Sequence, residues 1–587
     1  MEEKGSAEKA AREIRRRTRT PAWKLSAGLL LCALPIAAYF QLLFAATVDV
    51  PNLDDYDTAV SFLNRFVDSE SVGERVRLVF EPHIEHRPAF LRTIVVASHA
   101  WLGRLDFNTL NVIGSLGLAV LVAALLCAFR RETPLAAKLL AFAPAALFLV
   151  HPQYWSALLW PTCSISNFYV AAFALLTFLA LRGRSKASFA AALGFAVCAV
   201  YSQGNGFLVP PLGLLVLVLT AASKRRCRVW GGLAALLLAG YFAGYESPDA
   251  GADPLRLLGE PEQLVAYGLN LVGSAPAFSQ PVLAAAAGVA LVTSFAALAW
   301  RGWARRNPAL FCLGLFILLS VGLNAGARAI QGAEAPLAQP RYRFYSALFL
   351  ALNSLGWAET LRTTRLARRF VALSLLGAVA FSVLSFQTYR DDVFALAGRL
   401  ERGLDTWWRT GGRGLAYPRL HESSAFLMTS LGKGLLRVPT RWIDEGAAVP
   451  MALDLPDPGP GVSFRLGTVF QDDEILLVDG WADTGSFARN QRVFLVLRGA
   501  EKSPVFPARS VFRPELRHEP GIVRRRLGHS GFRAIIRHRD VPPGSYRLGV
   551  LVRRGAVEYL SFRGRQVVIP ETGPARAPGS VDLDFIE

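Results

Sequence analysis

The sequence predicts a polytopic α-helical membrane protein that ends in an all-β, sandwich-like soluble domain. Three observations support this fold class. The 587 residues are 52% hydrophobic and only 19% charged, with a mean hydropathy of +0.32, which is too apolar for an ordinary soluble enzyme of this size. Long apolar runs recur between residues 25 and 388, and from about residue 450 the pattern changes to short, partly alternating runs.

The apolar runs predict about eleven membrane spans, because a spanning helix needs about 20 mostly apolar residues. The predicted spans are 25–47, 108–129, 135–151, 165–181, 187–203, 206–222, 229–245, 281–300, 308–326, 343–359 and 369–388.

Basic residues alternate across these spans. If the N-terminus is cytoplasmic, the segments expected inside carry 25 Lys and Arg, and the segments expected outside carry 10 over a longer stretch of chain. The positive-inside rule therefore predicts a cytoplasmic basic tail at 1–24 and an extracytoplasmic C-terminus. This distribution accounts for the formal net charge of +19, so we expect no nucleic-acid partner. The first apolar run exceeds a signal-peptide core, which predicts a retained anchor.

The predicted transmembrane domain covers 25–390 and includes a long first outer loop at 48–107. Residues 391–449 follow as extracytoplasmic helices or linker that either lie along the membrane surface or pack against the next domain. Residues 450–587 contain runs such as "EILLVDGWAD" and "YRLGVLVRRG", separated by turn signals such as "VPPGSY". They predict a β-sandwich-like extracytoplasmic domain. The six cysteines show no zinc-site spacing, and we predict no metal-binding residue.

Two acidic stretches follow the first span. "PNLDDYDTAV" places Asp54, Asp55 and Asp57 near the membrane surface, where they either serve chemistry or begin a helix. "EPHIEHRPAF" then brings Glu85, His86 and Arg87 together. Such a cluster can abstract a proton or hold a phosphate, although a solvated loop with a surface ion pair is the structural alternative.

Further candidates lie at other predicted outer turns. In "QPRYRFYSALFL", Arg341 and Arg343 occur where the positive-inside rule disfavours arginine, and an arginine fork suits phosphate. Interfacial snorkelling is the alternative for these arginines, and Arg328 is a weaker candidate. Aromatic and amide side chains at these turns could bind a sugar. Alternatively, the aromatic residues form an interfacial belt and the amides satisfy backbone groups. The residues are Tyr345, His151, Tyr154, Trp155, Gln203 and Asn205.

This arrangement resembles the C superfamily of membrane glycosyltransferases (GT-C) over roughly residues 25–390. "LDDYD" is similar to the acidic pair that opens the first outer loop of that family, and "EHRPAFLRTIVVASHAWLGRLDFNTLNVIGSL" resembles a segment of its bacterial members. Family members with a β-rich outer domain after the last span also exist, which fits residues 450–587.

The resemblance implies transfer of a sugar from a polyprenyl-phosphate donor, embedded in the lipid bilayer, to an extracytoplasmic glycan, lipid or protein acceptor. Asp54 or Asp55 would act as the general base, supported by Glu85 and His86. Arg87, Arg341, Arg343 and Tyr345 would bind the donor phosphate, and the remaining aromatic and amide residues would bind the acceptor or sugar. Some branches use a carboxylate as a metal ligand, so Mg²⁺ or Mn²⁺ is the cofactor to consider.

The Ala-, Arg- and Leu-rich composition favours a bacterial inner (plasma) membrane. Three other functions stay open. A transporter or flippase of lipid-linked glycans should show internal repeats and charged or broken helices at mid-membrane, and no repeat is evident. A polymerase or ligase of lipid-linked glycans would use outer-loop arginines without the acidic pair. A non-catalytic cell-envelope assembly protein would bind through its β domain.

Overall fold

A computed structural model describes residues 22–84, 86–131, 133–244, 260–361, 364–411, 414–457, 462–483, 491–511, 530–555 and 557–571. Most of the predicted tail at 1–24 lies outside these residues. The chain divides into two compact units. The helical unit comprises Met1–Asp49, Ser69–Ala97 and Phe107–Arg399, and the β unit comprises Val50–Asp68, Ser98–Asp106 and Leu400–Glu587.

The helices follow one another with short connections. Up to Phe242 they are α1 (Ala22–Ala46), α2 (Phe62–Asp68), α3 (Val72–Phe80), α4 (Ala89–Leu102), α5 (Phe107–Ala128), α6 (Leu135–Leu149), α7 (Pro161–Arg182), α8 (Lys186–Val200), α9 (Val209–Leu219) and α10 (Lys224–Phe242). They continue as α11 (Pro261–Gly273), α12 (Pro281–Trp300), α13 (Trp303–Arg306), α14 (Pro308–Arg328), α15 (Arg343–Thr360), α16 (Thr364–Thr410), α17 (Leu420–Gly432) and α18 (Thr440–Gly446).

Apolar helices identify the chain as a membrane protein. Within the described ranges, six helices are long and apolar enough to cross a bilayer, and a bent pair makes up to seven. The six are α1, α5, α7, α12, α14 and α16. All eleven predicted segments overlap helices, but the number of eleven spans is not confirmed.

Four of the five remaining predicted segments have physical reasons not to qualify as spanning helices. Helix α8 and the combined segment Gly204–Leu219 are apolar but short, and α10 begins with "KRRCR". Helix α6 is followed by a 3₁₀ helix, Pro152–Leu159, at a bend of 63°. The sequence also missed α11, which lies in what was predicted to be the second outer loop.

Small residues allow close packing in the helical unit. Helices α5 and α7 pack against each other, and a Cβ at Gly114 would lie 2.0 Å from Ser164 Oγ. A Cβ at Gly117 would lie 2.5 Å from the ring of Tyr169. Close backbone approach of this kind is how apolar helices associate without a hydrophobic driving force between them.

Within its described residues, the β unit contains one seven-stranded antiparallel sheet. Its strands are β1 (Ser463–Gln471), β2 (Ile475–Asp483), β3 (Gln491–Arg498), β4 (Val505–Val511), β5 (Gly531–Arg537), β6 (Gly544–Arg554) and β7 (Val557–Ile569), in the spatial order β1-β2-β5-β4-β3-β6-β7. The all-β prediction is therefore confirmed for this part of the chain.

The sheet differs in detail from the predicted sandwich. Strand β4 pairs with β3 at Val505–Ala508 and with β5 at Arg509–Val511, so the strands form one continuous sheet. Alternate residues from all seven strands, from Phe464 on β1 to Ile569 on β7, meet in one apolar core. The sheet is thus curled into a half-barrel, which lets one sheet bury its own inner face.

A buried ion pair joins the sheet to the end of α16. Arg533 Nε donates to Asp479 Oδ2 at 2.8 Å, and Nη1 donates to the carbonyl oxygen of Trp408. The guanidinium lies 4.1 Å from the centre of the Trp408 ring, which stacks on Trp442. Residues 391–410 therefore continue α16, and their last part packs within the β unit.

Candidate functional site

A cavity of about 290 Å³ lies in the helical unit. It is lined by the turn between α8 and α9, the C-terminal ends of α10 and α14, the start of α15, and His86. Four predicted site residues line it, namely His86, Gln203, Asn205 and Tyr345, together with the weaker candidate Arg328.

The polar wall of the cavity is a chain of side-chain hydrogen bonds. Asn205 Nδ2 donates to Tyr345 Oη at 3.0 Å and to Ser320 Oγ at 2.9 Å. Tyr345 Oη donates in turn to Asn167 Oδ1 at 2.8 Å, and Ser320 Oγ donates to a carbonyl oxygen of its own helix. These bonds fix the orientation of the Asn205 amide. Its Oδ1 atom is buried and accepts no hydrogen bond within the part of the chain that the structure describes.

An unpaired buried carbonyl oxygen is costly unless it receives a donor. Asn205 lines the cavity through its other atoms, because this oxygen itself is buried. Gln203, a further amide on the same turn, also lines the cavity. The wall is therefore suited to a ligand rich in hydroxyl groups.

Arginine and phenol groups form another part of the lining. The Arg328 guanidinium lies 5.8 Å from the centre of the Tyr342 ring. Nearby, Tyr267 Oη donates to Asn324 Oδ1 at 2.7 Å, and burial raises the pKa of Tyr267 to about 12. Tyr267 thus remains a neutral donor, and Arg328 is the one residue with a permanent side-chain charge among the described residues that line the cavity.

Aromatic and aliphatic side chains complete the lining; they are Phe207, Tyr241, Phe242, Leu271, Val321 and Leu323. Apolar surface of this kind can contact a hydrocarbon chain or the face of a sugar ring.

His86 reaches the cavity on a small loop. His83 and His86 exchange two backbone hydrogen bonds, of 2.7 and 3.1 Å, which close the loop around Ile84. Burial, and secondarily the neighbouring His83 and Arg92, lowers the pKa of His86 to about 3. The imidazole is therefore neutral at physiological pH. Glu85, its predicted partner, lies outside the described residues.

Arg87 is committed to the backbone. It donates to Phe80, Tyr241 and Ala243 carbonyl oxygens, at the C-terminal ends of α3 and α10. This arrangement anchors the loop and uses the donors that a phosphate would need.

The two arginines of "QPRYRF" have separate environments. Arg341 lies 4.9 Å from both the Trp160 and Tyr342 ring centres and donates to Gln339 Oε1. Arg343 is buried and donates to the carbonyl oxygens of Gln153 and Leu337. Neither lines the cavity, so their predicted role as phosphate ligands has no support from the cavity geometry.

The aromatic turn at 151–155 is internal packing. His151 Nδ1 accepts a hydrogen bond from the backbone N–H of Gln153, and Tyr154 Oη donates to the Leu149 carbonyl oxygen at 2.7 Å. Both residues are buried, and the Trp155 ring lies under Arg399. None of these three residues lines the cavity.

The acidic stretch "LDDYD" belongs to the β unit. Asp55 is fully buried, and its Oδ2 accepts a hydrogen bond from the backbone N–H of Asn52 at 2.9 Å. The Asp54 carbonyl oxygen accepts both the amide and the hydroxyl of Thr58. A π-helical turn, Tyr56–Ser61, begins directly afterwards and leads into α2. Asp54 and Asp55 thus directly precede this helical turn, but the Asp55 side chain makes no capping hydrogen bond to it.

Asp57 has a different environment, in an acidic cluster formed with Tyr417, Arg419 and Glu422. Tyr417 Oη donates to Asp57 Oδ2 at 2.5 Å, and Arg419 Nη2 donates to Tyr417 Oη at 2.7 Å. Arg419 also lies 3.7 Å from Asp57 Oδ2 and 3.0 Å from Glu422. The Asp57 side chain is 19% exposed, so solvent or a ligand can reach it.

Burial, followed by the Asp57 hydrogen bond, raises the pKa of Tyr417, which keeps the phenol protonated as a donor. Sequence analysis missed Tyr417 and Arg419. No local signal identifies them, because they lie 360 residues or more from the carboxylate that they orient.

The expected divalent cation has no evident site. Among the described residues, no three His, Cys, Asp or Glu side chains cluster to hold a metal ion. The cavity lining offers mainly amide, hydroxyl and arginine groups, which fit Mg²⁺ or Mn²⁺ poorly.

The fold and these clusters define a membrane protein with several apolar helices, a cavity lined by amide, hydroxyl and apolar side chains, and a β-rich domain. No protein-family model matches the chain, and no curated protein matches it significantly. Functional assignment therefore depends on the geometry described above.

Proposed function

We propose that the protein is an integral membrane glycosyltransferase. It transfers a sugar from a polyprenyl-phosphate-linked donor to an extracytoplasmic glycan, lipid or protein acceptor. In this proposal the chain resides in the inner (plasma) membrane, with a cytoplasmic N-terminus and an extracytoplasmic β unit. The observation that carries the proposal is the cavity lining, which combines fixed amides and hydroxyls, a single arginine and apolar side chains.

Each part of the donor has a chemical counterpart in that lining. Sugar hydroxyls can pair with Gln203, and the polyprenyl chain can contact residues such as Phe207 and Phe242. Arg328 can neutralise the phosphate through charge-assisted hydrogen bonds.

The proton acceptor is assigned to Asp57 rather than to Asp54 or Asp55. Its carboxylate is accessible and is held by Tyr417, whereas Asp55 is buried and bonded to the backbone. In the reaction, a carboxylate oxygen takes the proton of the acceptor hydroxyl. The acceptor oxygen that has lost this proton forms a bond to the anomeric carbon as the bond from this carbon to the phosphate oxygen breaks, releasing polyprenyl phosphate.

The test compares surface glycans by mass spectrometry in a deletion strain that expresses wild type, Asp57→Asn or Asp68→Asn. Asp68 is a matched control, because it is a carboxylate of the same outer segment, 65% exposed and paired with Lys433. We expect the modification to disappear in Asp57→Asn alone, at equal protein levels in the membrane. A glycan profile that the whole-gene deletion leaves unchanged would overturn the proposal.

A lipid-linked-glycan flippase is the second candidate. It is favoured because no carboxylate occurs among the described residues that line the cavity. A flippase would move a lipid-linked sugar across proteoliposome membranes without releasing polyprenyl phosphate. Measuring both movement and release in the same vesicles separates the two functions.

A further inference from the structure

A second cavity, the α1–α16 groove, lies between the first and the longest helix of the helical unit. Its volume is about 370 Å³, and its lining consists of Ala38, Gln41, Leu42, Ala45, Phe386, Gln387, Arg390 and Phe394. These residues extend along roughly 10–12 Å of each helix, at a rise of about 1.5 Å per residue. None of them lines the first cavity.

The groove combines polar groups with an apolar floor. Gln41 is the one carboxamide of α1, and it is exposed on a helix that is long and apolar enough to span a bilayer. Gln387 and Arg390 are also exposed, one turn apart on α16. Leu42, Ala38 and Phe386 supply the apolar floor.

The polar groups of the groove lack partners among the residues that the structure describes. Within the described part of the chain, the side chains of Gln41, Gln387 and Arg390 make no hydrogen bond or ion pair, and Arg390 only lies 5.7 Å from the Phe394 ring. Hydrocarbon chains cannot satisfy amide or guanidinium groups, so these groups need a polar ligand or water.

The position of the polar groups along the helices matches a lipid headgroup. Gln41 lies one turn before the end of α1, and Arg390 lies just beyond the apolar stretch of α16 that ends near residue 388. The apolar side chains lie at the depth of the lipid chains, and Arg390 lies at the depth where those chains end. A guanidinium at this depth can pair with a lipid phosphate through charge-assisted hydrogen bonds.

We propose that the α1–α16 groove binds an anionic glycerophospholipid. Arg390 pairs with its phosphate, Gln41 and Gln387 donate to phosphate or glycerol oxygens, and an acyl chain lies along Leu42 and Phe386. A bulk phospholipid is the occupant because the groove is exposed on its flank and is open to the surrounding bilayer. The site does not depend on the proposed transfer reaction.

The test is native mass spectrometry of the purified full chain, titrated with phosphatidylglycerol and, separately, with phosphatidylcholine. We expect wild type to bind phosphatidylglycerol about tenfold more tightly, and Arg390→Gln to lose that preference. Arg369→Gln is the matched control, since Arg369 is exposed near the other end of the same helix. It should bind like wild type.

Two further measurements keep the outcome clear. Gln41→Leu retains the charge and should weaken phosphatidylglycerol binding about threefold, as expected for one lost hydrogen bond. Soluble glycerol phosphate should not compete at equal concentration, because it lacks the acyl chains. Equal binding in wild type and Arg390→Gln, an equal loss in Arg369→Gln, or full competition by glycerol phosphate would each overturn the proposed lipid site.

Discussion

The cavity of the helical unit and the acidic cluster of the β unit use different chemistry. The cavity presents oriented neutral groups around Asn205 and a single arginine. The acidic cluster presents a carboxylate, Asp57, fixed by a phenol and an adjacent guanidinium. Neutral amides suit recognition of hydroxyl groups, whereas an accessible, oriented carboxylate suits proton transfer. Binding and chemistry should therefore respond to different mutations.

The largest expected effect is on the acidic cluster. Asp57→Asn removes the basic oxygen but keeps the shape of the side chain, so transfer should fall by about 10²–10⁴-fold, the usual contribution of a general base. Donor binding should remain unchanged. The measurement is initial rate and donor affinity in membranes with matched protein levels. An Asp57→Asn rate equal to that of Asp68→Asn would remove Asp57 from the mechanism.

The next effect is on the cavity. Arg328→Gln removes the one permanent charge of its described lining, and donor affinity should fall by about 10–100-fold because a charge-assisted phosphate contact is lost. Arg305→Gln, at an exposed position elsewhere in the helical unit, is the control. If both variants bind a donor analogue equally, the phosphate lies elsewhere.

A sharper test concerns how Asp57 is oriented. Tyr417→Phe deletes the 2.5 Å hydrogen bond to the carboxylate, and the rate should fall by about tenfold. Donor affinity should remain unchanged, because Tyr417 holds the carboxylate and does not line the cavity. An equal fall in donor affinity would indicate a purely structural role for Tyr417.

A smaller effect is expected within the amide network. Tyr345→Phe removes the hydroxyl that links Asn205 to Asn167, leaving both amides less restrained, so donor affinity should fall by about threefold to tenfold. Tyr169→Phe removes a comparable bond to Ile113 away from the cavity. Equal affinity in the two variants would show that the network does not orient a ligand.

The smallest effect is on the pH dependence of stability. The pKa of His86 is about 3 in the folded chain, below its ordinary value of 6.5. As pH falls, the unfolded chain therefore binds a proton at this histidine before the folded chain does. The stability associated with the neutral His86 is fully present above pH 6.5 and is lost as pH falls toward 3. Wild type should lose more thermal stability than His86→Gln between pH 7.5 and pH 5. Parallel losses would contradict a buried, neutral His86.

Local pattern predicted much of the fold, and long-range contacts explain what it missed. A run such as Pro161–Arg182 is apolar around its whole circumference, so its helix is evident from composition. The curl of the sheet is not, because it depends on β4 changing partners between Ala508 and Arg509.

The candidate sites show the same limit. Gln203 and Asn205 were identified from a polar turn between apolar runs, but their partner Tyr345 lies 140 residues beyond Asn205. The acidic motif drew attention to Asp54 and Asp55, whereas the carboxylate that Tyr417 holds is Asp57. Choosing among three neighbouring aspartates requires knowing which one Tyr417 contacts, and spacing along the chain does not carry that information.

Sugar transfer by this protein can be measured with the purified full chain in vesicles that contain a polyprenyl-phosphate sugar and a soluble acceptor. Release of polyprenyl phosphate and transfer of sugar are measured for wild type, Asp57→Asn and Arg328→Gln. We predict transfer by wild type, retained donor binding without transfer in Asp57→Asn, and weakened donor binding in Arg328→Gln. Movement of the intact donor across the vesicle membrane by wild type, with no polyprenyl phosphate released, would contradict the transferase proposal and favour a flippase.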